Sequence, residues 1–127
     1  MTGDFGISAV LVALLLVKHY VCDFLLQTPI QIRSKGIYGH PGGLLHAAIH
    51  VAGTALVAFP FMTAGMLAIA LLAEFVIHYH LDWGKERVGR LLAKPSGPGY
   101  WSLFGGDQLL HQLTYVGMAV WAARADG

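Results

Sequence analysis

From Ile7 to Leu26 the chain runs ISAVLVALLLVKHYVCDFLL, an almost unbroken apolar stretch. About 20 such residues make a helix of ~30 Å, the thickness of a bilayer's hydrocarbon core. No basic region precedes this run and no small-residue cleavage motif closes it, so it reads as a retained anchor rather than a removed signal. A helix over residues 6–26 is expected.

Three further apolar segments follow, expected as helices over residues 44–59, 64–82 and 107–124. Phe59-Pro60-Phe61 and Gly65 separate the second from the third, since an internal proline breaks a helix. The second reaches only about 24 Å, which leaves local thinning or a shallow hairpin open. Hydrophobic residues make up 56% of the chain and charged ones 12%, with a mean hydropathy of +0.60. A soluble chain this small needs more charge to cover its surface. The expected fold is therefore all-α: a polytopic membrane bundle of about four helices in one domain spanning residues 1–127. A formal net charge of +1 gives no reason to expect a nucleic-acid partner. The one cysteine, Cys22, rules out a disulfide within the chain and reads as a small hydrophobe.

The connections carry the orientation signal. Arg33 and Lys35 lie between the first two segments; Lys85, Arg87, Arg90 and Lys94 lie between the last two. Four spans would place both basic connections on one side, and the positive-inside rule makes that side cytoplasmic, with both termini outside. Trp83, Tyr100 and Trp101 then fall at the cytoplasmic interface and Trp121 toward the other. Lys94-Pro95-Ser96-Gly97-Pro98-Gly99 reads as a flexible connection, with a lid as the sharper alternative.

Each apolar segment also carries polar residues four apart. They are His19 and Asp23; His46 and His50; Glu74, His78 and Asp82; and Asp107 and His111. Four residues advance a helix by about 400°, so both members of a pair project from one face about 6 Å apart. With alternating helix directions, all four sets meet at one depth, toward the basic end. His40 precedes a proline in a connection, and His80 lies on a different face from His78; both read as interfacial.

An Asp near the centre of a membrane helix costs roughly 2.5–3.5 kcal/mol. Four acids therefore cost on the order of 10 kcal/mol, and something must compensate. Two compensations fit. One is a buried network in which the acids pair with Lys18, Lys35 and Lys85. The other is one or two divalent cations held by His19, Asp23, His46, His50, His78, Asp82, Asp107 and His111. Mixed imidazole and carboxylate ligation suits zinc first, with manganese or iron as alternatives. Haem could use paired histidines but does not call for acids.

The motif His19-x-x-x-Asp23-Phe24-x-x-Gln27, then Lys35 and His46-x-x-x-His50, resembles the opening of a bacterial membrane family, domain of unknown function 3307. His78-x-x-x-Asp82-x-x-Lys85 and Asp107-Gln108-x-x-His111 match its later elements, so the resemblance covers nearly the whole chain. More loosely, the chain is similar to membrane-bound proteins described as metal-dependent hydrolases. The resemblance implies a bacterial inner-membrane helical protein and adds Gln27, Lys35, Lys85 and Gln108 as neighbours of the site. It implies no substrate.

The functional expectation is a metal-dependent hydrolase at the cytoplasmic interface. Bound metal would lower the pKa of water to about 7, Glu74 would act as general base, and Arg33, Lys35 and Lys85 would receive an anionic, phosphoester or lipid-linked substrate. A transporter or channel for divalent metal or protons is an alternative, although the far ends of the segments look dry. A non-catalytic membrane subunit with a structural metal or ion-pair site is the third reading.

Overall fold

The computed structural model describes residues 2–92 and 97–125, all of them helix or short connection. Part of the connection expected at 94–99, and the lid placed on it, lies outside the described residues. The helices are α1 (Thr2–Tyr20), which continues as a π-helical turn over Val21–Leu25; α2 (Pro29–Ser34); α3 (Pro41–Ala58), which ends in a 3₁₀ turn over Phe59–Phe61; α4 (Ala64–Leu92); and α5 (Pro98–Ala125). Among the described residues there is no strand.

The four long helices close a ring: α1 packs on α3, α3 on α4, α4 on α5, and α5 back on α1. Three stretches are long and apolar enough to cross a membrane: Phe5–Leu25, Pro41–Phe61 and Ala64–Leu91. α5 matches them in length without being among the three. The chain is an α-helical membrane bundle, with α5 completing the ring beside α1 and α4.

Two boundaries differ from those expected. The second span begins at Pro41 rather than at residue 44 and takes in the Phe59–Phe61 turn. Its 21 residues reach about 31 Å, enough for a full crossing. Pro41 suits the first helical turn, where no backbone N–H is needed. His40 caps that turn by accepting the Gly42 N–H at 3.0 Å on Nδ1, so the loop histidine has a local structural task. α4 and α5 are also longer than hydropathy suggested. α4 continues ten residues past Asp82, and α5 starts nine before Asp107. Apolarity stops where the bilayer stops, whereas Lys85, Glu86, Arg87, Leu91 and Leu92 are good helix formers that carry the helix on.

Burial is inverted relative to a soluble protein. Leu56, Ile69, Leu72 and Leu113 are more than half exposed, whereas Lys18, His19, Asp23, His46, His50, Glu74, His78, Asp82, Asp107 and His111 are buried. Lipid makes an outward Leu inexpensive, and helices that bury polar groups must turn them toward each other. One half of the bundle has a conventional core of Leu11, Leu15, Ala58, Met62, Ala70, Tyr115, Met118, Ala119 and Ala122. The other half is polar.

α2 was not foreseen within the Gln27–Gly43 connection. It docks on the start of α3, where a Cβ at Gly42 would collide with the Ser34 hydroxyl and come within 3.0 Å of the Ile30 carbonyl oxygen. Ser34 meanwhile donates to that same carbonyl at 2.7 Å. Gly42→Ala is expected to destabilise the bundle by about 1–3 kcal/mol through this overpacking. A lowered unfolding midpoint in detergent would show it, with Gly65→Ala, which meets nothing within 4 Å, as the control.

Candidate metal centre

The polar half is built around two carboxylates. Asp23 sits in the π-helical turn, which is closed by the Leu26 N–H donating to the Val21 carbonyl at 2.9 Å. Such wide turns recur at functional sites because they re-aim a side chain within a helix. The Asp23 carbonyl accepts from the Gln27 side-chain amide at 2.9 Å, which steadies the end of the turn. The Asp23 carboxylate meets three imidazoles through their Nε2 atoms: His50 at 2.8 Å, His46 at 3.0 Å and His19 at 3.2 Å.

Asp82 does the same on α4. Its oxygens lie 3.2 Å from His78 Nε2, 3.2 Å from His111 Nε2 and 3.3 Å from His46 Nε2. His46 therefore touches both carboxylates. His78 lies between His50 and His111, with ring centroids 3.9 and 4.2 Å away and the rings tilted by 34° and 44°. Neither nitrogen of His78 has an aligned hydrogen-bond partner, nor has Nδ1 of His50. A buried unsatisfied nitrogen calls for an explanation such as a bound ion or water.

Two sets of side chains could hold a metal ion. Asp23, His46, His50 and His78 form one; His78, Asp82 and His111 form the other; within each set the ligand atoms lie within 4.8 Å of one another. With metal–nitrogen and metal–oxygen bonds of about 2.0–2.2 Å, neighbouring ligands stand roughly 3.0 Å apart in an octahedron and 3.4 Å in a tetrahedron. The observed spacings of 2.8–3.3 Å match such edges. Six of the eight expected ligands thus come together from four helices. His19 and Asp107 lie at the margin. His19 Nε2 is also 2.9 Å from the Gln108 carbonyl oxygen, and Asp107 lies 3.2 Å from His111.

The three lysines are part of the arrangement. Lys18 donates to Glu74 at 2.6 Å, Lys35 lies 3.3 Å from Asp82, and Lys85 lies 3.5 Å from Asp107. Four buried carboxylates therefore face three lysines, and Asp23 is the one with no lysine in ion-pair range among the described residues. With neutral imidazoles the cluster carries one net negative charge. A single protonated imidazole would cancel it, whereas a divalent cation would carry it to +1, and a hydroxide held with that cation would bring it to zero.

Other expected residues fall elsewhere. Glu74 lies one turn deeper than His78 as half of the ion pair with Lys18, and it belongs to neither metal-binding set. Arg33 borders a separate surface pocket with Pro29, Ser34 and His40, apart from the cleft lined by Lys35 and Lys85. His80 is directed outward, donating from Nδ1 to the Val76 carbonyl at 2.7 Å, with Nε2 2.9 Å from the Tyr38 hydroxyl.

Two contributors were missed. Gln31 of α2 is buried, and its side-chain oxygen accepts from His46 Nδ1 at 3.2 Å, which turns the Nε2 lone pair inward. Tyr115 lies 3.2 Å from His19 Nδ1 and accepts from Lys18 at 3.0 Å. Its position continues the Asp107–His111 register by another turn, so it was available to the same spacing argument. Gln31 offered no comparable signal because its helix was not recognised.

On the basic side, a cleft of about 490 Å³ opens next to the cluster between α2, α4 and α5, with Gln27, Lys35 and Lys85 in its wall. Lys35 and Lys85 thus border the cleft while each holds a carboxylate of the cluster.

The fold and this centre define a class: helical membrane bundles with a buried histidine–aspartate cluster. The family model described as "Protein of unknown function (DUF3307)" matches residues 10–125, and the chain belongs to that family. No curated protein and no solved structure matches it.

Removing one partner of a buried ion pair strands the other. Lys18→Met is expected to cost about 3–5 kcal/mol by leaving Glu74 unpaired, and Lys18→Met with Glu74→Leu to recover most of that loss. Denaturant unfolding in mixed micelles measures both.

Proposed function

We propose that this protein is a membrane-embedded metalloprotein whose centre binds one or two divalent cations, zinc foremost, and hydrolyses a phosphoester near the membrane interface. One observation carries the reading: four helices direct imidazole Nε2 atoms and carboxylates to common points at ligand-to-ligand spacing. A cation held there would supply Lewis acidity and activate a water for attack on phosphorus.

The chain's own residues would do the rest. His46 and His50 hold their imidazoles beside Asp23, while Gln31 keeps His46 in the tautomer that points its lone pair inward. Lys35 and Lys85 stand between cluster and cleft, placed to attract and orient an anionic group. In hydrolysis, the water oxygen adds to phosphorus as the ester oxygen leaves; one water proton goes to the leaving oxygen and the other to solvent or a nearby base. Glu74, expected as that base, is instead held by Lys18 outside both ligand sets. The orientation we propose is the one set by the basic connections: a bacterial inner membrane, both termini outside and the cleft on the cytoplasmic face.

The three lysine–carboxylate pairs favour a second reading, in which the network is purely structural and one imidazole is protonated. Transport draws less support, because Leu11, Leu15, Ala58, Met118 and Ala122 fill the opposite half of the bundle.

Elemental analysis of detergent-purified protein decides between the first two. One or two metal ions per chain are expected, lost in His78→Ala and Asp23→Asn but kept in His80→Ala. Gln31→Leu is expected to weaken metal affinity by about 10–100-fold while leaving every ligand in place. A metal-free, stable wild type would establish the structural network instead. Stoichiometric metal without hydrolysis across a panel of phosphoesters would remove the enzymatic part.

A further inference from the structure

The cleft beside the cluster has two chemically different walls. Lys35, Lys85 and Arg90 stand on the polar one, with Glu86 as its only acid among the described residues. Arg90 has no ion-pair partner there, while Glu86 lies 3.6 Å from Lys85. Its guanidinium rests over Gly36: a Cβ on that glycine would stand 2.9 Å from Nη2 and 3.2 Å from Cζ. The absence of a side chain at residue 36, just past α2, thus leaves the room that the guanidinium occupies. Lys35 and Lys85 are already matched by Asp82 and Asp107, so Arg90 is the cation of this wall left to meet an anion, and a guanidinium matches the geometry of a phosphate.

The opposite wall is apolar. Ile32 comes from α2, and Tyr100, Leu103 and Phe104 come from the first turns of α5. A bare phosphate would use none of it, and a volume near 490 Å³ is that of a site for a larger organic molecule. The surroundings are membrane-like: Leu91 and Trp101, chain neighbours of the cleft residues Arg90 and Tyr100, are each at least 60% exposed, apolar and aromatic side chains suited to the bilayer interface.

We infer that this cleft binds a membrane lipid with a single phosphate headgroup, the phosphate on Lys85 and Arg90 with Lys35 behind, and the start of the chain along Ile32, Leu103 and Phe104. The inference goes beyond the hydrolytic reading: with its one phosphate on Lys85 and Arg90 the lipid is held in the cleft beside the centre, and the binding stands apart from any reaction.

The test uses the full chain in phosphatidylcholine nanodiscs, titrated with phosphatidic acid and read by native mass spectrometry, with metal content measured on the same samples. Phosphatidic acid is expected to bind at least about tenfold more tightly than phosphatidylcholine. Arg90→Ala removes an exposed side chain, and Gly36→Ala displaces the same guanidinium without altering charge. Each should weaken binding by about tenfold with metal content unchanged. Equal retention of the two lipids, or undiminished binding in Arg90→Ala, would overturn the proposal. Competition by glycerol 3-phosphate or inorganic phosphate at the concentrations where phosphatidic acid acts would identify a free anion as the occupant and reject the lipid. Metal without lipid preference rejects the cleft alone. Lipid preference in a protein without metal upholds the cleft and rejects the hydrolytic reading.

Discussion

Charge neutralisation inside a low-dielectric bundle is the constraint on which the architecture depends. Asp23, Glu74, Asp82 and Asp107 are all buried, and each would be prohibitive alone in hydrocarbon. Three are matched by lysines and the fourth by imidazoles, with every partner drawn from a different helix or a different turn. The ring of helices is therefore held by polar contacts in one half and by ordinary packing in the other. Helices in lipid gain little from burying leucine against leucine, so the polar half supplies much of what specifies which helix sits next to which. Lys18 joins α1 to α4 and α5, and His46 joins α3 to both α1 and α4.

That architecture explains why the site was largely legible from residue order. Polar residues four apart in an apolar run have one economical arrangement, and six of the eight expected ligands come together in it, with His19 and Asp107 at the margin. What could not be read has identifiable causes. Hydropathy marks the extent of the bilayer and not of the helix, so the ends of α4 and α5 were drawn short, and the cleft they form beyond the cluster went unseen. The π-helical turn at Val21–Leu25 leaves no trace in spacing, because His19 and Asp23 share a face with or without it. Arg90 could not be told from Arg33 or Arg87 without knowing that it lies over Gly36, and Arg33 turned out to border a different pocket.

The cluster and the cleft also divide labour between rigid and adaptable parts. The imidazoles are packed against one another, and two of them are held by second partners: Gln31 on His46, Tyr115 and Gln108 on His19. Around the cleft, Ile32 and Tyr100 are exposed and Glu86 only part-buried. A centre that must keep its spacing to tenths of an ångström is fixed, whereas the surface that would receive a partner molecule retains freedom to adjust.

One consequence follows from α4 being unbroken from Ala64 to Leu92. His78, Asp82, Lys85 and Arg90 lie along a single rod, so the span from cluster to outermost cation is set by helical rise, about 12 Å between Asp82 and Arg90. Such a rod works as a calliper: a molecule gripped at Arg90 presents to the centre only whatever group it carries at that remove. Inserting one residue after Asp82 would swing the grip by about 100° and put gauge and anvil on different sides of the helix.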